Sequence, residues 1–341
     1  MQTQCTSLGS LLPFGRRVVV ADFDGGPITS DAGLLLLRET ARLSNFFGRV
    51  GACFTDLRDP SRIEHSVDEL LAQRTLALCQ GYEDLNDHDS LRYDPVLAVA
   101  VGKTDPMGHD RRHERDHGRA LAGHSTLNRI ELAPAEYNSE RPDLKILHDP
   151  AAIERLFVQL FIDAHEVPPE EIVLDLDATD DPLHGQQEGR FFHGYYRKYC
   201  YLPLYIFCED FLLVAKLRQA NQDGAAGSLE EVQRVVAHIR EHWPKVRIIL
   251  RADSGFCRNW FMDWCEKQPR VDFVLGVARN SRLTGLIEEE MAANVAERDA
   301  TGKPVKTYKE LVYKTQKTWS RHRRVVAQVE ALVGKENPRF V

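Results

Sequence analysis

The order of short apolar runs that follows the Pro168-Pro169 pair constrains the fold more than any other feature of the chain. Residues 172–177 read IVLDLD, a run of strand length that ends in carboxylates. Two further strands are predicted at 199–207 and 211–217, joined by the short turn Cys208-Glu-Asp210. Ser228, with Glu231 three residues on, predicts a capping box. It opens a helix whose Leu229, Val232, Val235, Val236, Ile239 and Trp243 share one face, and Pro244 stops it. A strand at 246–252, a helix at 258–267 and a strand at 272–278 complete the series. The order is β-β-β-α-β-α-β, an α/β fold with a mixed sheet in which the first and fourth strands lie side by side.

That adjacency brings two acids to one end of the sheet. Asp177 and Asp253 each end a buried strand and precede small polar residues, Ala178-Thr179 and Ser254-Gly255. Facing carboxylates repel unless a divalent cation bridges them. The pattern suits Mg²⁺, which binds through one or two carboxylates plus phosphate oxygens and water. Two such ions can clamp the attacking and leaving oxygens of a phosphodiester. Asp175, Asp180 and Asp181 are nearby alternatives, and a strand-end Asp that only caps its loop is the competing reading.

Upstream, residues 30–165 carry helical spacing. Ser30 is placed to cap a stretch with Leu34, Leu35, Leu37 and Ala41; Val67, Leu70, Leu71 and Leu78 follow the 3–4 rule; Asp149-Pro150 opens a helix in the manner of an N-cap with Pro at N1. Residues 103–120 are almost wholly polar and read as a loop. The longest aliphatic run is residues 34–37 and the N-terminus has no signal-like segment, so neither secretion nor a membrane span is expected. Seven scattered cysteines without a C-x-x-C pair read as reduced cytosolic thiols. The net charge of −7 hides a gradient. Residues 302–341 carry +7 and the remainder −14, a basic strip beside an acidic body that suits nucleic acid held close to metal-binding chemistry.

The stretch 172–207, the run LLVAKLR (212–218) and ILRADSGF (249–256) resemble the DDE transposases of bacterial insertion sequences, whose catalytic domain has an RNase H-like fold. Four N-terminal segments agree: SDAGLLLLRE (30–39), DLRDPSRIEHSVDELLAQR (56–74), GYEDLNDHDSLRYDP (81–95) and LAGHSTLNRIE (121–131). The resemblance implies an RNase H-like mixed sheet core at 169–278, a mainly helical DNA-binding region at 1–168 and a partial β-rich insertion at 279–341. It implies that Asp177 is the first catalytic acid, with Thr179 two residues on, and Asp253 the second. Both would hold Mg²⁺, with Mn²⁺ able to substitute. The partners implied are double-stranded DNA (terminal inverted repeats and target) and a second copy in a homodimeric DNA complex, with no membrane. The location implied is the bacterial cytoplasm, at the nucleoid. The activity implied is cleavage at the element ends followed by in-line attack of the freed 3′-OH on target DNA.

The third acid of such proteins is a Glu that follows an R-G-x-x-E-N type stretch beyond the insertion. No R-G-x-x-E occurs in residues 279–341, and Glu330 and Glu336 lie in the wrong context to replace it. The expectation is a truncated, inactive form of the transposase; the alternative is a non-catalytic DNA-binding fragment that inhibits the full-length enzyme. Lys314, Lys317, Arg321, Arg323 and Arg324, with Tyr313 and Trp319 interleaved, fit the insertion, and Arg129 joins them as an expected DNA contact. They predict two strands, 312–317 and 323–330, that offer cations to phosphates and an indole to a base. A core Trp319 amid solvated cations is the competing reading.

Two motifs carry less weight. Residues 18–25, VVVADFDG, resemble the opening of haloacid-dehalogenase-like phosphatases, with Asp22 as nucleophile and Asp24 as acid/base, but Gly26 replaces the usual Thr and no later motif completes the set. His113-Glu114-Arg-Asp-His117 matches H-E-x-x-H in letters, yet its flanks offer nothing apolar to bury a helix, so coincidence is expected.

Overall fold

The structure, a computed structural model, describes residues 11–14, 17–19 and 31–341. These fall into two compact units, one extending to Leu156 and the other Phe157–Val341. The division lies ahead of the Pro168-Pro169 pair because Val158, Phe161 and Ile162, on the helix before those prolines, belong to the core of the second unit.

The first unit is mainly helical. Strands β1 (Leu11–Phe14) and β2 (Arg17–Val19) pair antiparallel, as do β3 (Phe54–Asp56) and β4 (Ile146–His148). Helices α1 (Leu34–Leu43) and α2 (Phe46–Gly51) precede β3, and α3 (Val67–Cys79), α4 (His88–Leu91), α5 (Pro95–Val101) and α6 (His124–Glu131) run between β3 and β4. Side-chain caps open three of these helices, whereas α1 starts from Gly33 without one and the predicted cap Ser30 lies outside the described residues. Ser66 and Glu69 make a reciprocal capping box on α3, and Asp94 accepts from the amides of Val96 and Leu97 ahead of Pro95. The predicted Asp149 cap of α7 (Pro150–Asp163) accepts from the Ala152 amide at 3.1 Å. The polar stretch 103–120 holds only a single 3₁₀ turn, Glu114–Asp116. Inside, Gln73 exchanges both amide hydrogen bonds with Ala122 and donates to His88 Nδ1 at 3.0 Å.

The second unit is built on a five-stranded sheet of β5 (Glu171–Ala178), β9 (Leu204–Cys208), β10 (Phe211–Lys216), β11 (Arg247–Ala252) and β12 (Val271–Leu275); β6 (Asp181–Pro182), β7 (Phe191–His193) and β8 (Lys198–Tyr201) lie between β5 and β9 in the chain. The spatial order is β10-β9-β5-β11-β12. The first two pairings are antiparallel, and β5-β11 and β11-β12 are parallel. This is the RNase H-like mixed sheet, with the predicted first and fourth strands adjacent. Helix α8 (Ser228–His242) connects β10 to β11 and lays Val232, Val235, Val236 and Ile239 into one cluster with Ile172, Leu174, Leu176, Ile248 and Leu250. The alternate residues of β5 and β11, Asp175, Asp177 and Arg251, project from the opposite face.

Two local expectations are corrected. The run 199–207 breaks at Leu202-Pro203 into β8 and β9, and β8 pairs with β6 and β7 in a separate three-stranded sheet. The capping box at Ser228 does not form: Gly227, left-handed at φ 72°, is the N-cap, Ser228 Oγ bonds the Ala225 carbonyl, and Glu231 is held by Lys216 and Arg234.

After β12 come α9's successors in the chain; α9 (Asn259–Cys265) itself lies between β11 and β12, followed later by α10 (Ser281–Gly285) and α11 (Glu288–Thr301). The chain then forms a long hairpin, β13 (Val305–Tyr313) and β14 (Arg323–Leu332), with β15 (Lys335–Glu336) and β16 (Arg339–Phe340) both pairing β14. Its Leu311, Tyr313, Trp319, Val325, Ala327 and Phe340 belong to the same continuous core as the five-stranded sheet. Among the described residues no helix is long and apolar enough to cross a membrane.

Candidate active site

The register of the two central strands defines the site. Arg251 lies opposite Asp175 and Ala252 opposite Leu176, so one further step sets Asp253 beside Asp177. The Arg251 guanidinium clasps the Asp175 carboxylate, with Nη2 to Oδ2 at 2.6 Å. Residues two positions further on project from that same face, so Asp177 and Asp253 are brought together at the C-terminal edge of the sheet. Both are exposed.

Their neighbours are arranged differently. Asp180 pairs with Lys198 at 2.5 Å and Asp223 with Arg258 at 2.7 Å, while Asp175 has Arg251. Among the described residues neither Asp177 nor Asp253 has a Lys or Arg within ion-pairing distance. The phenol of Tyr196 registers the resulting field: its partial burial raises its pKa, and the carboxylates of Asp180, Asp177 and Asp253 add to the rise.

Asp253 is held by its own loop. Its Oδ1 accepts from the Gly255 amide at 2.8 Å and starts the 3₁₀ turn Ser254–Phe256. Gly276 packs against it from the end of β12. A Cβ there would lie 2.9 Å from the Ser254 nitrogen and 3.2 Å from the Asp253 carbonyl carbon. Nearby, the buried Arg218 binds the loop carbonyls of Leu202, Ala226 and Gly224, and a Cβ at Gly224 would lie 3.6 Å from that of Ala178 at the end of β5. Sequence reading missed Arg218, whose only signal was a lone cation at the end of an apolar strand.

Two hard oxygen donors side by side without a protein cation fit a divalent ion. Among the described residues no third ligand group gathers with them. On β14, Glu330 is taken by Lys306 of β13 and by Asn337, and Glu336 lies on β15; both are in a different sheet from the acids.

The expected DNA contacts separate into two kinds. Trp319 is 6 % exposed, stacks edge-on against Tyr313 at 5.7 Å and lies under Arg323, so its indole is core and is not offered to a base. Arg323 is likewise buried: it binds Asp263 at 2.6 Å, Glu266 at 2.9 Å and Asn259 at 3.2 Å, which ties β14 to α9. Burial pushes the Glu266 carboxyl up, but hydrogen bonds from Arg323 and Arg321 hold it below the usual range. Arg324 pairs with Glu310 at the surface, Arg321 with Glu266, and Lys314 bonds the Ser320 carbonyl. Lys317 is exposed. Lys314 and Lys317 lie in the hairpin loop because β13 ends at Tyr313, not at 317 as predicted. Arg129 is exposed on α6.

The segment with Asp22 and Asp24 lies outside the described residues. His113 and His117 flank a 3₁₀ turn, not a helix, so the H-E-x-x-H spacing has no helical face to act from.

No curated protein and no solved structure matches the chain. A family model described as Transposase DDE domain group 1 matches residues 12–341, nearly the whole sequence. The chain therefore belongs to that family of DDE transposases, proteins that act on DNA and generally use divalent metal ions.

Proposed function

We propose that this chain is the transposase of an insertion sequence, binding terminal inverted repeats as a homodimer on DNA at the nucleoid and using Asp177 and Asp253 to hold Mg²⁺ for phosphodiester cleavage and strand transfer. The observation that carries the reading is the pair of carboxylates without a Lys or Arg partner at the neighbouring C-terminal ends of parallel strands β5 and β11, Asp177 within β5 and Asp253 just after β11. A bound Mg²⁺ would supply electrostatic stabilisation of the charge that develops on the phosphate and activation of the attacking oxygen. The protein's part is positional. The Gly255 amide orients the Asp253 carboxylate, and Arg251 neutralises Asp175, which confines the uncompensated charge to the two ligands. Lys314, Lys317, Arg321, Arg324 and Arg129 are the cations we assign to phosphate contacts, whereas Trp319 and Arg323 serve the framework.

Two carboxylates alone leave the metal incompletely held, so residues 1–341 by themselves are expected to bind DNA without cutting it. The test is a gel shift and a nicking assay on the DNA ends of the element that encodes the chain. Retention of those ends over scrambled DNA, with no Mg²⁺-dependent nicking, is the expected result. Nicking that disappears in Asp177→Asn would restore full catalysis to this chain. Absence of any preference for the ends, or nicking that survives Asp177→Asn, would overturn the proposal.

A further inference from the structure

The last turn of α8 carries His238, Glu241 and His242, whose i, i+3, i+4 spacing sets them on one face of the helix. One ligand atom from each lies within 4.8 Å of the other two, and the imidazole centroids are 5.4 Å apart. Neighbouring groups decide which ring nitrogens carry lone pairs. On α7, the Gln159 amide nitrogen donates to Asp163 Oδ1 at 2.7 Å, which leaves the amide oxygen to accept from His238 Nε2 at 3.1 Å. The neutral ring with hydrogen on Nε2 presents its lone pair at Nδ1. His242 directs Nδ1 at the His238 carbonyl, 3.2 Å away; a carbonyl only accepts, so Nδ1 holds the hydrogen and Nε2 the lone pair.

The platform beneath is firm. His238 is 4 % exposed, and Trp243, next to His242, is locked edge-on against Phe161 at 5.3 Å. Glu241 and His242 reach solvent, and a cavity of about 450 Å³ opens beside His242, Pro168 and Lys245. The helix C-terminus also favours positive charge.

We propose that His238 Nδ1, His242 Nε2 and a Glu241 carboxylate oxygen form a site for a divalent transition metal of the Zn²⁺ class, with a fourth position open to water. Two imidazoles select such an ion over Mg²⁺, which prefers oxygen. The site lies at the opposite end of the sheet from the acids. His242 leads into the start of β11, and Asp253 follows its end, six residues or roughly 20 Å away at strand rise. The bound ion would cross-link the last turn of α8, ahead of the entry to β11, without competing for the carboxylate pair.

The experiment is a calorimetric titration of the full chain with Zn²⁺ in excess Mg²⁺, with accessible thiols alkylated, and a parallel titration with Co²⁺ followed by visible absorption. One equivalent of Zn²⁺ is expected, retained in Asp177→Asn and weakened at least tenfold in both His242→Gln and Glu241→Gln. Both altered residues are exposed, and an unchanged metal-free melting curve verifies the fold of each variant. Bound Co²⁺ is expected to show the intense absorption of a tetrahedral site. Absence of binding, undiminished binding in His242→Gln, or binding that vanishes in Asp177→Asn would overturn the assignment.

Discussion

Replacing Arg323 by Met separates a structural cation from a DNA contact. The Arg323 side chain is 5 % exposed, and its partners Asp263 and Glu266 are 31 % and 19 % exposed. Met keeps much of the aliphatic stem but leaves two acids facing each other without their shared cation. Removing one partner of a buried ion pair costs about 3–5 kcal/mol. Because both acids retain some water, and Arg321 still reaches Glu266, the lower end applies, about 3 kcal/mol. For a folded unit of this size that corresponds to a fall in melting temperature of roughly 6–12 °C. The pH dependence has a definite sign. The carboxyls of Asp263 and Glu266 are held below their ordinary range, so the network stabilises above the unfolded carboxylate pKa of about 4 and fades as pH falls below it. The gap between wild type and variant should therefore narrow toward pH 3. The assay is calorimetric melting across pH, paired with DNA affinity measured against salt. A melting temperature within 1 °C of wild type, combined with a salt slope reduced by about one phosphate contact, would show that Arg323 meets DNA instead.

Further outcomes follow from other residues. Lys317→Ala should leave melting unchanged and lower the slope of log affinity against log salt by about 0.9, as expected for one lost phosphate contact; an unchanged slope removes Lys317 from the interface. Gly276→Ala forces a methyl against the backbone of Asp253 and Ser254, at a cost of about 1–3 kcal/mol, and should weaken Mn²⁺ binding measured by electron paramagnetic resonance, whereas equal Mn²⁺ affinity would show that the loop yields without moving the acid. Burial lowers the pKa of His88 to about 4, and burial with the charges of Lys103, Arg111, Arg92 and Arg58 lowers that of His65 to about 2. The unfolded chain then binds more protons below pH 6.5, so the first unit is most stable above that pH and loses up to about 2 kcal/mol per histidine by pH 5. Urea midpoints followed by hydrogen exchange in α3 should shift accordingly, and a flat profile from pH 7 to 5 would contradict both burials.

What could be read from the sequence was whatever depends on local periodicity. The alternation in β5 and β11 and the apolar face of α8 announced the sheet, its cover and the neighbouring ends that hold Asp177 and Asp253. The misreadings share a cause, since each was decided by partners distant in sequence. Residues 199–207 look like one apolar strand, but Leu202-Pro203 hands the chain from one sheet to another. Glu231 has the spacing of a capping box, but Lys216 on β10 claims its carboxylate. Cations alternating around Trp319 suit a nucleic-acid surface and a packed hairpin equally well, and only α9, some sixty residues earlier, reveals that Arg323 faces inward. The first unit's division from the second was hidden for the same reason: α7 is continuous, and its core partners lie far along the chain.

The shared core of the hairpin and the five-stranded sheet limits how this protein can be rearranged. A segment inserted as an independent cassette can be shortened or exchanged by recombination with little effect on its host. Here Leu311, Tyr313, Val325 and Ala327 fill space that the sheet and α9 would otherwise leave empty, and Arg323 closes the acids of α9. Swapping the hairpin between relatives would therefore require matched changes in α9, so the two segments are expected to be inherited as one block.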